Sequence, residues 1–427
     1  MKPLLRSLLI VALAAGAMAL PTSDGPQADP AAAVAAPAMA VCAVEEGSGR
    51  STNIAVASTV SGSGHLTAFA AGSAVGSFDF ETGESGASSI SVAEIAAVGV
   101  GGALLELPAT ASAAASVVAG ANSLSVDTCP SAAGGDLILG GGSTLSDQRF
   151  EVQLMNPYAG EAILDLVVQS DTGLESSDEL DSVTVPARAT VVVDLAEILP
   201  GREWMTVAIE VDTGGVLAVG RLGIGTDSAV WNAVAPSQEW FIPVPHGLES
   251  RQVVIAARDS DVEYQVDFYG PDGVIEAFET GQVPARGQAI VDVGAVTPIA
   301  SAVRVVTTAP VGVFLRITND TAVAMTSGSP TAASGLLLPG AGSIPGGGWI
   351  ALLNPGLEDV SVEVTILRSA AEVVTVAVPA GEVVEVVVSA DPALGYTING
   401  NGPMVASWST VIGGSIGLGM AFPVPDE

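Results

Sequence analysis

An all-β chain of tandem antiparallel sandwiches follows from three features of these 427 residues. Glycine and proline are spread along the chain, at 50 and 26 residues, which disfavours long helices and suits short strands joined by tight turns. The tetrapeptide Val185-Pro186-Ala187-Arg188 returns as Val283-Pro284-Ala285-Arg286 and as Val378-Pro379-Ala380-Gly381, at intervals of 98 and 95 residues. Such a period means a duplicated domain, being far too long for a solenoid unit. Each copy is followed by a strand-like run: Val191 to Leu195, Ile290 to Val293 and Val384 to Val388.

The clearest unit spans residues 136–238. Phe150 to Leu154 alternates, Asn156-Pro157-Tyr158-Ala159-Gly160 turns the chain, and strands follow at Ala162–Val168, Ser182–Val185, Thr190–Leu195, Met205–Val211 and Val216–Leu222. About seven strands per hundred residues, with turn signals every 8–12, is the pattern of an immunoglobulin-like antiparallel β-sandwich. A unit at 336–427 repeats the first strand and its turn as Trp349 to Gly356, including Asn354-Pro355. The unit at 239–335 has Val253 to Ala257 at that place but lacks the Asn-Pro pair. Each unit opens with an apolar triplet: Leu137-Ile138-Leu139, Trp240-Phe241-Ile242 and Leu336-Leu337-Leu338.

Residues 41–135 are richer in Ala, Ser and Gly and read as a degenerate first sandwich. Ile54–Ser58, Thr67–Ala71, Phe78–Phe80 and Ser91–Ile95 keep the strand order, and the last resembles Asp194 to Ile198. Cys42 and Cys129, the only cysteines, bracket this unit, and an even pair in an exported chain implies a disulfide. Four such modules in tandem would form a rod.

Residues 1–40 read as an export signal or N-terminal anchor followed by a flexible leader. Lys2 and Arg6 precede the apolar run Leu8 to Leu20, which is short for a membrane span, and small residues suited to cleavage follow. The expected location is extracytoplasmic: secreted, or held at the membrane by an uncleaved N-terminal segment. Removing residues 1–40 takes away Lys2, Arg6, Asp24 and Asp29, so the net charge stays at −33. Such a surface repels phosphate backbones, which excludes nucleic acid and anionic lipid as partners.

Little in the chain points to chemistry. Gly413-Gly414-Ser415-Ile416-Gly417 matches a nucleophile elbow, but both histidines, His65 and His246, precede it and its flanks read as a hairpin. Arginines look scattered, with no clamp for an anionic substrate. Two histidines and no free thiol leave no zinc set, and no cofactor is expected. Asp178 to Asp181 and Asp259-Ser260-Asp261 offer oxygen ligands for weak divalent-cation binding. Trp231, Trp240 and Phe241, with His246 behind them, gather near the second module junction. They read either as inter-domain packing or as a stacking platform for a sugar or peptide.

In these motifs (Asn-Pro after a first strand, Val-Pro-Ala-Arg or Val-Pro-Ala-Gly, then Val-Val-Val-Asp-Leu) the chain resembles an actinobacterial family of exported proteins of unknown function. The resemblance implies tandem β-domains at the cell envelope and carries no catalytic residues. The expected role is a non-catalytic envelope structural or interaction protein whose partner is an envelope protein or a glycan. The alternatives are a carbohydrate- or cell-wall-binding protein using the Trp231/Trp240 region and, less favoured, a secreted hydrolase.

Overall fold

The computed structural model describes residues 38–424 apart from short connections at 46–48, 71–72, 84–85, 96–99, 110, 121–122, 131–134, 245–249, 271–272, 295–300, 319–321, 341–346, 368–371, 389–394 and 413. The expected signal segment and His246 lie outside the described residues. Among those described, no helix is long and apolar enough to cross a membrane.

The chain is all-β and every strand pairing is antiparallel. The first module holds β1 (Ala38–Ala43), β2 (Arg50–Ser58), β3 (Ser63–Ala70), β4 (Ser73–Glu81), β5 (Ala87–Ser91), β6 (Val100–Leu107), β7 (Ser112–Gly120) and β8 (Ser123–Thr128). These form two sheets, in the orders β1-β6-β3-β4 and β5-β2-β7-β8. Two stacked antiparallel sheets are the architecture of a β-sandwich.

The second module repeats it with β9 (Leu137–Gly142), β10 (Gln148–Asn156), β11 (Ala162–Ser170), β12 (Gly173–Leu174), β13 (Val183–Val185), β14 (Ala189–Asp194), β15 (Met205–Thr213), β16 (Leu217–Ile224) and β17 (Asp227–Asn232). Its sheets run β12-β11-β15-β9, with β13 also on β11, and β14-β10-β16-β17. The third holds β18 (Ser237–Val244), β19 (Ser250–Ala257), β20 (Val262–Gly270), β21 (Gly273–Val283), β22 (Gln288–Asp292), β23 (Ser301–Thr318) and β24 (Val323–Ser327). The fourth holds β25 (Ala333–Pro339), β26 (Gly348–Leu353), β27 (Val360–Leu367), β28 (Glu372–Val378), β29 (Val383–Val388), β30 (Gly395–Ile412), β31 (Ser415–Met420) and β32 (Phe422–Pro423). In these two modules β23 and β30 each run through both sheets, replacing two separate strands.

The recurrent tetrapeptide has a backbone cause. Its fourth residue takes a left-handed conformation in every copy, with φ of 52° at Arg188, 61° at Arg286 and 69° at Gly381. That residue's N–H donates to the turn after the first long strand of the module: Arg188 to Tyr158 O at 3.0 Å, Arg286 to Arg258 O at 2.6 Å, and Gly381 to Asn354 O at 3.1 Å. The Asn-Pro pair closes the same joint from the other side. Buried Asn354 donates from Nδ2 to Glu358 O, Val378 O and Pro379 O, and its Oδ1 accepts from Gly356 N–H. Asn156 does likewise with Gly160 O, Val185 O and Tyr158 N–H. Two motifs far apart in sequence are therefore the two halves of one buried clasp.

Ser91–Ile95, expected to be a strand, is instead the end of β5 followed by a single 3-10 turn at Val92–Glu94. Its counterpart in the second module is α1 (Leu195–Ile198), capped by Asp194 Oδ1 accepting from Ala196 N–H. The carboxylate of Asp194 favours capping over strand continuation there, whereas the Val92–Glu94 turn has no side-chain cap.

The modules do not extend as a rod. Each module's β1-type sheet packs on the next module's β2-type sheet, and the fourth returns to the first. Val41, Ala43 and Leu104 meet Met155, Leu217, Val219 and Val230. Ile138 shares a core with Val254, Ala256, Phe314 and Met325. Phe241, Tyr269 and Ala302 meet Ala351, Leu353, Val383, Val405 and Met420. Leu337, Leu367 and Phe422 seat on Ala57, Ala87 and Ala113, which closes the circle. At the centre the last long strand of each module touches its neighbours. Val230 N–H donates to Ser125 Oγ, Val323 N–H donates to Asp227 Oδ2, and Leu124 and Val126 lie over Gly417 and Gly419. Gly312 is obligatory at one seam, since a Cβ there would stand 2.4 Å from the Ile138 side chain.

Packing on both faces explains the composition. Inner strands such as β7, β8 and β31 are buried along almost their whole length, so alternation fades, and charged residues are only 14% of the chain. The outer strands β4, β21 and β28 stay exposed or half-exposed along almost their whole length. The Cys42–Cys129 disulfide ties β1 to the chain leaving β8 across 87 residues. Closing a loop of that size stabilises by about 4–5 kcal/mol on the chain-entropy account.

Candidate functional site

The aromatic residues singled out in the sequence do not form a platform. Trp231 is fully buried in the second module's core, stacked on Phe150 with ring centroids 5.6 Å apart. Trp240 is buried in the third module, its Nε1–H donating to Val311 O and Ser237 O. Phe241 fills the seam between the third and fourth modules. With no ring face open to solvent, the sugar- or peptide-stacking reading of these residues is corrected to core and seam packing. Ser415 is buried and opens β31 in a strand–turn–strand hairpin with β30.

The acidic turn at Asp259-Ser260-Asp261 is also engaged. Asp261 Oδ1 accepts from Ala285 N–H, and Asp259 is ion-paired with Arg258 at 3.0 Å and Arg286 at 3.7 Å. Two guanidiniums beside a carboxylate disfavour a divalent cation there. Among the described residues, no three His, Cys, Asp or Glu side chains gather as a metal-ligand set.

What the structure brings together is a polar cleft of about 880 Å³ between the first two modules. Its walls come from Glu45, Gly49 and Arg50, from Gly120 at the end of β7 and Ser123 at the start of β8, from Ser146 to Arg149 and Glu151 at the start of β10, and from the β16–β17 hairpin. An alternating ladder of charge runs along it. Arg50 pairs with Glu45 at 2.6 Å, Glu45 with Arg221 at 3.7 Å, and Arg221 with Glu151 at 3.2 Å. Glu151 then pairs with Arg149 at 3.0 Å, and Arg149 with Asp194 at 2.5 Å. The Asp194 hydrogen bond raises the pKa of Arg149 above its ordinary value. The ladder links modules, since Glu45 and Arg50 belong to the first and the rest to the second. Arg50 also donates to Thr226 O at 3.1 Å, and Gln153 Nε2 donates to Gly101 O.

Asp227 marks the inner end of the cleft. Burial raises its pKa, partly offset by the N–H groups of Val323 and Ser228 that its carboxylate accepts. Here it acts as a tie between the second and third modules.

Sequence reasoning missed this convergence, taking the arginines as scattered. A signal was present: Arg50, Arg149 and Arg251 recur at intervals of 99 and 102 residues, at the start of β2, β10 and β19. The repeat period places an arginine at one corner of three modules, and the seam between the first two brings a pair of those corners together.

Fold and cleft define the class: an all-β protein of tandem sandwiches closed into a circle, with a charge-laddered cleft between its first two modules. A family model described as "Family of unknown function (DUF5719)" matches residues 105–331, more than half of the chain, and the chain belongs to that family. The match runs from β6 to the connection after β24. No curated protein matches the chain. Among solved structures, one described as "Crystal structure of tetra-tandem repeat in extending region of large adhesion protein" is similar at 11% identity, covering 91% of this chain and 100% of that one. Its TM-score is 0.12, which carries no argument about fold or role.

Proposed function

We propose that this chain is a non-catalytic, exported cell-envelope protein that serves as a structural or interaction body. The observation that carries the reading is the closure of four modules through shared apolar seams. A body packed on every internal face holds its loops in fixed relative positions, which suits presenting a surface to a partner. Two further features support export. The Cys42–Cys129 disulfide belongs in an oxidising compartment, and the N-terminal residues have the order of a signal or anchor. The motif resemblance to an exported actinobacterial family points the same way, to an envelope protein or glycan as partner. The −33 net charge favours partners other than nucleic acid and anionic lipid.

The test is fractionation of cells expressing the full chain, followed by cross-linking capture from envelope extract and a screen for esterase, glycosidase and peptidase activity. Recovery in the envelope or medium with a reproducible envelope partner and no turnover is expected. A cytoplasmic full-length protein, or an activity that survives repurification and vanishes in Ser415→Ala or His246→Ala, would overturn the reading.

A further inference from the structure

The cleft between the first two modules has three properties that together specify a ligand. Its lining is composed wholly of Gly, Ser, Thr, Asp, Glu, Gln and Arg, without one apolar side chain. Its charges are mixed, the Arg50, Arg149 and Arg221 guanidiniums standing among the Glu45, Asp147, Glu151 and Asp227 carboxylates, with Glu45 and Glu151 ion-paired to them. It also holds buried polar atoms that have no hydrogen-bond partner, Gln148 Oε1 and the Oγ of Ser228, a residue only 1% exposed. Buried polar groups are rarely left unpaired, so orphans concentrated in one cavity call for an occupant that both donates and accepts.

We propose that this cleft is a binding site for a neutral saccharide. A sugar hydroxyl is at once donor and acceptor, which suits a wall where guanidinium donors and carboxylate or amide acceptors interleave. Charged ligands fit worse. A cation meets three guanidiniums, and an anion meets four carboxylates in a chain carrying −33. Lipids and aromatic ligands find no aliphatic or aromatic side chain among the lining residues. The volume of about 880 Å³ lies within the range of small-ligand sites and admits a short oligosaccharide. The ladder holds the arginines in place before any ligand arrives, so little side-chain freedom is lost on binding. This inference goes beyond the envelope reading and stands on the cleft alone, owing nothing to the buried tryptophans.

Saturation-transfer NMR and titration calorimetry on the full chain, with maltotriose, cellotriose, chitotriose and mannotriose as separate probes, test it. At least one trisaccharide is expected to bind. Its Kd should change less than about twofold when salt is raised through the range that screens surface charge. Hydrogen exchange should slow at Gln148–Glu151 and Asp227–Ser228 in the bound form. Gln148→Ala should weaken binding roughly fivefold with unchanged thermal stability, and Arg149→Ala, which also gives up the ion pairs to Glu151 and Asp194, should weaken it by at least as much. Glu276→Ala, on the distant outer strand β21, should leave binding intact. Failure of every trisaccharide to bind, binding untouched in both cleft variants, or a cleft that instead takes inorganic phosphate or calcium with steep salt dependence would each overturn the proposal.

Discussion

Asn354→Ala removes the donor and acceptor that clasp two turns of the fourth module. The side chain is fully buried and makes contacts of 2.8, 3.0 and 3.2 Å from Nδ2 and 2.9 Å to Oδ1. Its two N–H protons and one carbonyl amount to three independent bonds, each worth about 1 kcal/mol net, so a loss of about 3 kcal/mol is expected. The resulting shift in Tm depends on what unfolds together. If all of Pro37–Glu427 melts as one unit, an unfolding entropy of about 2.1 cal/mol/K per residue gives a shift of about 4 °C. If the fourth module melts alone, its smaller entropy gives a shift of about 15 °C in a separate transition. Scanning calorimetry with far-UV circular dichroism distinguishes the two, and the apolar seams predict the small, shared shift. Asn354→Asp should be no better than alanine, because a carboxylate would face three carbonyl oxygens. A loss below about 1 kcal/mol, or an aspartate variant as stable as wild type, would refute the clasp.

Three further outcomes are expected. Burial raises the pKa of Asp127 well above its ordinary value, more than the Thr128 and Asn232 N–H groups lower it. The raised folded pKa means its contribution is intact below the unfolded value of about 4 and lost as pH rises through the folded one, so the Tm advantage of Asp127→Asn should widen with pH. A constant gap in melts across that range would contradict it. Glu175 is held down to about 2 by Arg202, with Ser170 and Thr172 assisting. Its stabilisation is present above about 4.5 and lost as pH falls towards 2, so Glu175→Gln should cost about 1–2 kcal/mol at neutral pH in urea titrations and nothing measurable near pH 2. Gly381 sits at φ 69° with a would-be Cβ 3.0 Å from Val274, so Gly381→Val should destabilise by about 2 kcal/mol or more, and a neutral result would deny the left-handed requirement.

Strands were legible where one face is wet. β11 alternates buried and open positions along its length, and its run Ala162–Val168 stands out in the sequence. The duplicated architecture was legible because a left-handed residue after Val-Pro-Ala constrains sequence at fixed spacing. The innermost strands were not. β8, β17 and β24 are covered on both sides by other modules, so Ser, Asp, Asn and Met replace the period-2 signal. For the same reason the circle was invisible and a rod was the natural expectation, since seam contacts between Ala113 and Leu337 leave no local mark on either strand. The tryptophans left packing and platform both open, because an aromatic cluster near a junction looks alike whether its rings point inward or outward. The cleft was hidden by distance, its ladder joining Glu45 to Arg221 across 176 residues.

The seat that the first module offers the fourth is made of alanines, Ala57, Ala87 and Ala113, under Leu337, Leu367 and Phe422. The preceding seams use other fillings, with Phe314 against Gly140 in one and Met420 against Phe241 in another. Each joint is thus keyed to a single pair, and the four units are not interchangeable parts. Their succession is written into side-chain size, so a shuffled gene would present bulk to bulk at some joints and void to void at others. Copy number is fixed by the same keys: a fifth unit would have no matching neighbour, and a lost one would leave two misfitting faces to meet. Duplication built this object, but once the loop was shut each copy became answerable to two particular neighbours, and the alanine-rich first unit is what that obligation looks like in sequence.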